Sequence, residues 1–403
     1  RVVNSTNNEP VAGAVVEVQN TNLVVSADTL GFFLLDKAPS ANCTLVISAF
    51  NYEAKTIYDL NAMSGKENYL EIKLKEKTIA LEEVVIRGAN FHRTVESPVS
   101  LKNLSGSEIE RMPGGLRDVS RVLQAFPGVS AATAWRNDLI VRGGGAYENK
   151  FFLDGIPIPH INHFTPQGTS GGAYGIINPN YLKDIDFYSG AFPSHRGNAL
   201  SSVIELHLKD GDPKRKNAGA VIGSTDLSLT SDGYLSKKFT YLTSIRLSNW
   251  KFTATALGLP FKPRYDDFLV KLKYKHSPQD EWTFIGIAAI DYSEPNLDAA
   301  EGLFANKNNA AMMATINTYL RKITTTKQGT YTLGGQYQRF FNRSNLSVSL
   351  SRNFLYNSLL NHTDQRNRSE ENKILDYYSA ESQHTLQVQY NYRTRKNTSL
   401  LAG

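Results

Sequence analysis

The feature that most constrains the fold is a series of long segments, from residue 217 to residue 403, in which apolar and polar residues alternate. One such segment carries Phe268, Val270, Leu272 and Tyr274 on one face and Asp267, Lys271, Lys273 and Lys275 on the other. Alternation with a period of two predicts β-strands. The segments have about ten residues or more, longer than strands of soluble sheets, and this length suits a tilted strand that crosses a bilayer.

The connections between these segments differ in length. A short turn at His276–Asp280 contrasts with long polar connections at roughly 249–266, 294–327 and 358–378. Such an asymmetry is typical of transmembrane β-barrels, which have short periplasmic turns and longer outside loops. We count about nine strands of this kind, by the alternation criterion.

The block before these strands, residues 91–212, is glycine-rich and predicts a mixed α/β domain. Asp118–Phe126 places its apolar residues on one helical face, and Pro127-Gly128 ends that helix. An Asp154-Gly155 pair predicts a tight turn between two strands. A barrel of eight strands is filled by its own side chains, whereas one of about 22 strands can hold a folded plug. Residues 213–403 are therefore expected to be the N-terminal, incomplete part of such a transmembrane barrel.

The N-terminal residues 1–76 alternate short β-branched runs with turn clusters, which predicts a small β-sandwich. Residues 77–90 then form a charged run followed by an apolar patch that favours a strand. This linker strand could add to the exposed sheet edge of a partner. The alternative is that it is the last strand of the first domain or the first strand of the next.

Several function classes are disfavoured by composition. A net charge of +6, without a long basic run, argues against a nucleic-acid partner. The single cysteine, Cys43, leaves no internal disulfide framework, and no stretch has the roughly 18–20 apolar residues of a membrane helix. No catalytic motif or cofactor motif stands out, so we expect neither an enzyme nor a bound cofactor.

Two histidines, His160 and His163, lie three residues apart and precede Phe164. A metal site would need a further ligand at suitable spacing, and none is visible in the sequence, so we expect no metal. The other interpretation is a ligand-facing loop, in which these three side chains contact cargo in an outer vestibule.

Two regions resemble known domains. Glu9–Val18 and Thr29–Leu34 resemble the carboxypeptidase regulatory-like domain, although Asn51 stands where that family usually has glycine. Asp118–Val129, Val141–Pro157 and Ile185–Leu206, in that order, resemble the plug of TonB-dependent receptors. The combination is similar to the receptors common in Bacteroidota, and the resemblance covers essentially the whole chain.

The resemblance implies an outer-membrane transporter of a Gram-negative bacterium with a periplasmic N-terminal domain and contact with outer-membrane lipid. It implies TonB, with its inner-membrane energising complex, as a partner, and a surface lipoprotein as a further expected partner. The residues expected to form the TonB box are Leu81, Glu82, Glu83, Val84, Val85 and Ile86. Arg142 and Arg196 are expected to pair with barrel carboxylates and hold the plug; alternatively, they cap turns beside glycines.

Two other functions remain open at this point. The same fold could serve a signalling receptor or a structural component of a surface complex. A soluble adhesin, in which the long strands pack as sandwiches, is the other alternative; only the barrel would show heat-modifiable migration on gels and require detergent for extraction.

Overall fold

The computed structural model describes the chain with several gaps, and all structural statements below concern the residues that it describes: 1–36, 42–61, 69–77, 101–115, 117–133, 136–223, 226–248, 250, 253–254, 259–297, 318–394 and 399–403. The predicted TonB box, Leu81–Ile86, lies outside the described residues. The chain is mainly β, as predicted. In the part described, no helix is both long enough and apolar enough to cross a bilayer.

The N-terminal segment, residues 1–77, contains two small sheets. Its strands are β1 (Val2–Asn4), β2 (Val15–Val18), β3 (Val24–Ser26), β4 (Asn42–Ser48), β5 (Lys55–Asn61) and β6 (Ile72–Leu74). An antiparallel sheet has the order β3-β2-β4-β5, and β1 pairs in parallel with β6. Val16, Leu45 and Ile72 belong to the buried core between them, which confirms the predicted sandwich. Asn51 adopts a left-handed φ of 63°, a conformation that asparagine tolerates, so the turn does not require glycine here.

The plug segment, residues 101–212, contains a five-stranded sheet and two short helices. Its elements are β7 (Leu101–Ser105), α1 (Gly106–Arg111), α2 (Val119–Gln124), β8 (Val129–Ser130), β9 (Ile140–Val141), β10 (Asn149–Leu153), β11 (Ile156–Ile158), β12 (Asn162–His163), β13 (Tyr174–Gly175), β14 (Leu182–Tyr188) and β15 (Ser202–Leu208), with 3₁₀ turns at Ala146–Glu148 and Pro179–Tyr181. The strands of the five-stranded sheet have the order β11-β10-β15-β14-β7.

Local sequence explains these elements. Asp118 accepts hydrogen bonds from Ser120 N at 2.8 Å and from Arg121 N at 3.3 Å, which fixes the start of the predicted helix α2. Asp154 and Gly155, with φ of 48° and 84°, form the predicted turn between β10 and β11. Positive φ at both positions is what a two-residue hairpin turn of type I′ requires.

The barrel sheet contains nine strands, and each pairs antiparallel with the next. They are β16 (Asn217–Ile222), β17 (Asp226–Ser236), β18 (Phe239–Ser248), β19 (Phe261–Lys275), β20 (Asp280–Pro295), β21 (Thr325–Phe341), β22 (Ser344–His362), β23 (Lys373–Arg393) and β24 (Ser399–Ala402); a 3₁₀ turn lies at Glu370–Asn372. Because these strands form one continuous sheet, the packed-sandwich alternative is wrong. The predicted connection 358–378 is too long, since β22 continues to His362 and β23 begins at Lys373.

The two faces of the barrel sheet differ. On β19, Asp267, Lys271 and Lys273 are buried against the plug segment, whereas Phe268 on the opposite face is 41% exposed. On β20, Ile285 and its inward-facing neighbours join the hydrophobic core of the plug segment, while apolar residues on the outer face stay exposed. An apolar outer face and a polar inner face form the pattern of a membrane barrel.

Candidate functional site: the plug–barrel interface

A buried histidine connects the plug segment to two barrel strands. His163 lies in the short strand β12, which pairs with β13, and its ring is completely buried. Its Nδ1 lies 2.6 Å from Oδ1 of Asp291 on β20, and its Nε2 lies 3.0 Å from Oδ2 of Asp267 on β19. Phe164 N donates to Oδ2 of Asp291 at 2.7 Å. Two barrel carboxylates therefore hold one plug loop.

The hydrogen bonds define the charge of this histidine. A neutral imidazole has one donor nitrogen and one acceptor nitrogen, whereas both nitrogens of His163 face carboxylates. Burial disfavours the charged ring, but Asp291 and Asp267 outweigh burial and raise the pKa of His163 above its ordinary value. Arg246 on β18 also pairs with Asp267, at 2.7 Å, so the cluster contains two cations and two carboxylates. We therefore assign His163 as an imidazolium in the closed interface.

The three residues of the predicted ligand-facing loop lie in different environments, and a role in ligand contact stays a prediction. The His163 ring is completely buried in this structure, and both of its nitrogens face aspartates of β19 and β20. Phe164 is half-buried and occupies a left-handed φ of 56° beside Asp291. His160 lines a cavity, and burial lowers its pKa to about 4, so it is uncharged near neutral pH. Among the described residues, no group of three ligand-type side chains could hold a metal ion.

The two predicted gating arginines lie in different environments. Arg196 forms a two-pronged pair with Glu205, at 2.6 Å from Nε and 3.1 Å from Nη2, and its guanidinium stacks over Phe152. Glu205 belongs to the plug strand β15, so the ion pair of Arg196 among the described residues lies within the plug segment, and its pairing with a barrel carboxylate stays a prediction. Arg142 is exposed at the end of β9 and has no salt bridge within the described part of the chain. A gating role of either residue stays a prediction.

A second charged contact connects the plug segment to the barrel sheet. Lys271 Nζ on β19 lies 2.9 Å from Asp154 and 2.7 Å from Asp210. Lys273, two residues further along the same face, lies 2.9 Å from Asp210. Burial disfavours ionised Asp210, but the two lysines outweigh burial and hold its pKa well below the usual range. This lysine–carboxylate cluster is distinct from the His163 contact.

The cluster extends into the N-terminal segment. Glu71 pairs with Lys275 at 2.5 Å, and Glu281 on β20 lies 3.5 Å from both Lys273 and Lys275. Burial disfavours the ionised form of Glu71, but the lysines outweigh burial and lower its pKa. All three segments therefore share one network of largely buried charges, in which Asp210, Glu71 and Glu281 each have at least two lysine partners.

The N-terminal segment also contacts the short turns of the barrel sheet. Asn8 donates to Pro278 O at 2.9 Å in the turn between β19 and β20. Asn345, just after the next short turn, donates to Thr6 O at 3.3 Å, and Arg393 donates to Lys77 O at 2.9 Å. These contacts place the N-terminal segment at the short-turn end of the sheet.

Sequence reasoning missed the partners of His163 and the lysine cluster. The alternating pattern had placed Asp267, Lys271 and Lys273 on the polar face of one strand. Several charged residues on one face of a membrane-length strand were the available signal, because such groups are costly unless they are paired. Which plug residues they pair with could not be read from the sequence.

The geometry defines a class of protein: a folded segment fixed by buried charges to the polar face of a long antiparallel sheet whose outer face is apolar. Comparison with family models identifies two domains in the chain. Residues 1–86 match the CarboxypepD_reg-like domain, and residues 93–203 match the TonB-dependent receptor plug domain. The chain therefore carries both domains and has the fold of the TonB-dependent outer-membrane receptors, which are not enzymes.

Solved structures agree with this fold. A mutant of the ferric enterobactin receptor of Pseudomonas aeruginosa, in complex with enterobactin, superimposes with a TM-score of 0.52 at 14% identity, over 73% of this chain and 47% of the receptor. The siderophore receptor PirA of Acinetobacter baumannii gives a TM-score of 0.51 at 14% identity, over 76% and 48%. The chain thus spans about half the length of these receptors, and the likeness is one of fold. No curated protein sequence matches the chain.

Proposed function

We propose that the protein imports a substrate actively across the outer membrane, through a barrel closed by its plug, with energy supplied through TonB. The observation that carries this proposal is the plug segment held against the polar face of the barrel sheet by His163 and by the Lys271 cluster. Polar and charged contacts suit a plug that must move, because a displaced polar surface can be solvated by water in the lumen.

The linker at residues 77–90 is the proposed point of force. In this proposal Leu81–Ile86 adds as a strand to TonB, because backbone hydrogen bonds between strands need no strict sequence. The N-terminal segment ends at Lys77, which Arg393 holds at the short-turn end of the sheet. Since short turns of outer-membrane barrels face the periplasm, this end is the proposed periplasmic side. A surface lipoprotein partner on the opposite side remains a proposal from the resemblance.

Deletion of residues 79–88 tests the proposal. We expect the deletion to abolish uptake of a labelled ligand by cells while leaving surface binding intact. A sharper pair of variants is Val84→Pro, which removes a backbone N–H from the added strand, and Val84→Thr, which keeps it. The proline variant should lose affinity for the periplasmic domain of TonB, and the threonine variant should retain it. Uptake that persists after the deletion would refute import driven by TonB through this linker.

A further inference from the structure

An arginine lies on the apolar outer face of the barrel sheet. Arg352 on β22 is exposed, whereas its neighbours along the strand, Ser351 and Asn353, are buried. Asn353 donates to Pro157 O of the plug segment at 3.1 Å, so its side chain lies on the inner face. Because successive side chains of a strand point to opposite faces, the side chain of Arg352 points away from the lumen.

Arg352 lies far from both borders of the apolar band. Its cross-strand partner is His384 on β23, which is also exposed. Tyr378 and Tyr390 lie on the same face of β23, each six residues from His384, and such rings mark the borders of the apolar band of a barrel. Six residues cover about 20 Å of strand, or about 15 Å of depth at a tilt of about 40°. This depth is half of a hydrocarbon core of about 30 Å, so Arg352 lies near the bilayer midplane.

The outer face changes character at β22. In the row of cross-strand partners that contains Arg352, the residues of the three preceding strands are Val270, Gly286 and Leu333. The same row continues with Arg352 and His384. An arginine that contacts lipid near the midplane destabilises a barrel. Ionisable groups at this depth are therefore rare, and they are usually paired.

The barrel itself does not supply a counter-charge for Arg352. No ion pair joins Arg352 to a carboxylate in the part of the chain that the structure describes. Both strands beside β22 are in place, so further strands of the barrel cannot reach this residue from the side. An arginine near a strand end can extend its charge to the headgroups, but from the midplane the phosphates are about 15 Å away, farther than the side chain reaches. The counter-charge must come from another molecule within the bilayer.

A second copy of the chain does not fit this requirement through the faces that the structure describes. Their outer carboxylates lie away from the midplane: Asp280, Glu294 and Asp376 are near strand ends, and Asp266 already pairs with Arg264 at 2.7 Å. The complementary carboxylate therefore belongs to a different protein.

Aromatic rings next to Arg352 add a surface for such a partner. Phe354 follows on the same face, and its ring centroid lies 5.4 Å from that of Tyr331 and 6.4 Å from that of Tyr356. Arginine and aromatic residues are enriched in protein interfaces, where a few of them supply most of the binding energy.

We propose that the outer face of β22 and β23 around Arg352 binds a second, different protein that spans the outer membrane and presents a carboxylate at mid-depth. A guanidinium forms two parallel hydrogen bonds with a carboxylate, and the low dielectric of the bilayer strengthens this pair. His384 supplies a further polar group beside it. The interface lies outside the barrel and does not depend on the proposed import function.

Photo-crosslinking in cells tests this interface. A benzophenone amino acid at Leu386, which is exposed on the outer face two residues from His384, should join the complete protein to one transmembrane protein. Arg352→Leu should lower the yield about tenfold or more, because it removes one partner of the charge pair. Arg339→Leu is the matched control, since Arg339 lies on the neighbouring strand at the short-turn end and pairs with Asp280. Its yield should be unchanged, and heat-modifiable migration checks that each variant folds as a barrel.

Charge reversal decides whether the captured protein is the proposed partner. Arg352→Glu should abolish the crosslink, and replacement of the partner's mid-depth carboxylate by arginine should restore it in that variant. The proposal is overturned if the crosslink joins two copies of this chain, forms to lipid alone, survives Arg352→Leu, or is not restored by the reversed pair.

The purified protein, alone in lipid vesicles, gives an independent measurement. Without its partner, Arg352 contacts lipid, so Arg352→Leu should raise the equilibrium constant for folding about thirtyfold in urea titrations. Arg339→Leu should not raise it. An equilibrium constant that Arg352→Leu leaves unchanged would show that Arg352 carries no cost in lipid, and the argument for a partner would fail.

Discussion

Replacement of His163 by leucine should loosen the plug segment. The ring is completely buried, and its loss leaves Asp267 and Asp291 without one cation each. Removing one partner of a buried pair costs about 3–5 kcal/mol. Arg246 still pairs with Asp267 and Phe164 N still bonds to Asp291, so we expect the lower end, about 3 kcal/mol.

Hydrogen exchange of the complete protein in detergent measures this effect, because it reports the free energy of local opening. At pH 6, amides of residues 156–177 in the His163→Leu variant should exchange roughly a hundredfold faster than in the unaltered protein, the equivalent of about 3 kcal/mol. His160→Asn is the matched control, since this histidine lies in the same loop but has no ion pair within the described residues. Equal exchange rates for His163→Leu and the unaltered protein would refute the argument.

The difference in exchange rate between His163→Leu and the unaltered protein should depend on pH. The folded pKa of His163 is raised, so its stabilising contribution is complete below the unfolded value of 6.5 and is lost as pH rises through the folded pKa. After correction for intrinsic exchange, the difference between the unaltered protein and His163→Leu should therefore shrink as pH rises above 6.5. A difference that grows with pH would show that the ring is not an imidazolium in the closed state.

Three further predictions concern other contacts. Burial opposes the charge of His207, but two neighbouring aspartates outweigh burial and raise its pKa to about 9. The unaltered protein should therefore lose stability to urea as pH rises from 6.5 to 9. His207→Gln should not show this loss. Lys273→Met removes one of the two lysines of β19 that pair with Glu71, so it should weaken docking of the N-terminal segment by about 2 kcal/mol and speed its proteolysis. The exposed Lys238→Met should change neither. A Cβ at Gly172 would lie 1.7 Å from His163 O, so Gly172→Ala should destabilise the protein by about 3 kcal/mol or more and lower its melting temperature. A Cβ at Gly197 would meet no atom within 4 Å, so Gly197→Ala should leave the melting temperature unchanged.

Local features of the fold could be predicted from the sequence because their causes are local. The cap at Asp118 and the turn at Asp154-Gly155 each depend on residues within a few positions. The barrel strands were visible because every second residue is apolar. The end of β22 was misplaced, since Asn357 and Asn361 resemble loop residues but lie on the polar inner face of a strand.

The site was harder to predict because its contacts join distant residues. His163 is 104 positions from Asp267 and 128 from Asp291. The sequence therefore showed candidate residues in the plug segment and in the barrel strands, but not which of them pair. Arg196 illustrates the same difficulty within the plug segment. The resemblance suggested a barrel partner, whereas the parallel pairing of β10 with β15 brings Glu205 beside Phe152 within the plug segment, where Arg196 can reach both.

The positions of the two charged contacts suggest an order of opening. Force on the linker would act at the short-turn end, where Lys77 ends the N-terminal segment and Glu71 joins the lysine cluster. The Lys273 network lies near this end, whereas His163 contacts the barrel strands closer to their opposite ends. A pull from the linker should therefore break the lysine cluster first and the His163 contact last. In single-molecule pulling, Lys273→Met should lower the first force peak and His163→Leu a later one; a reversed assignment would contradict this order.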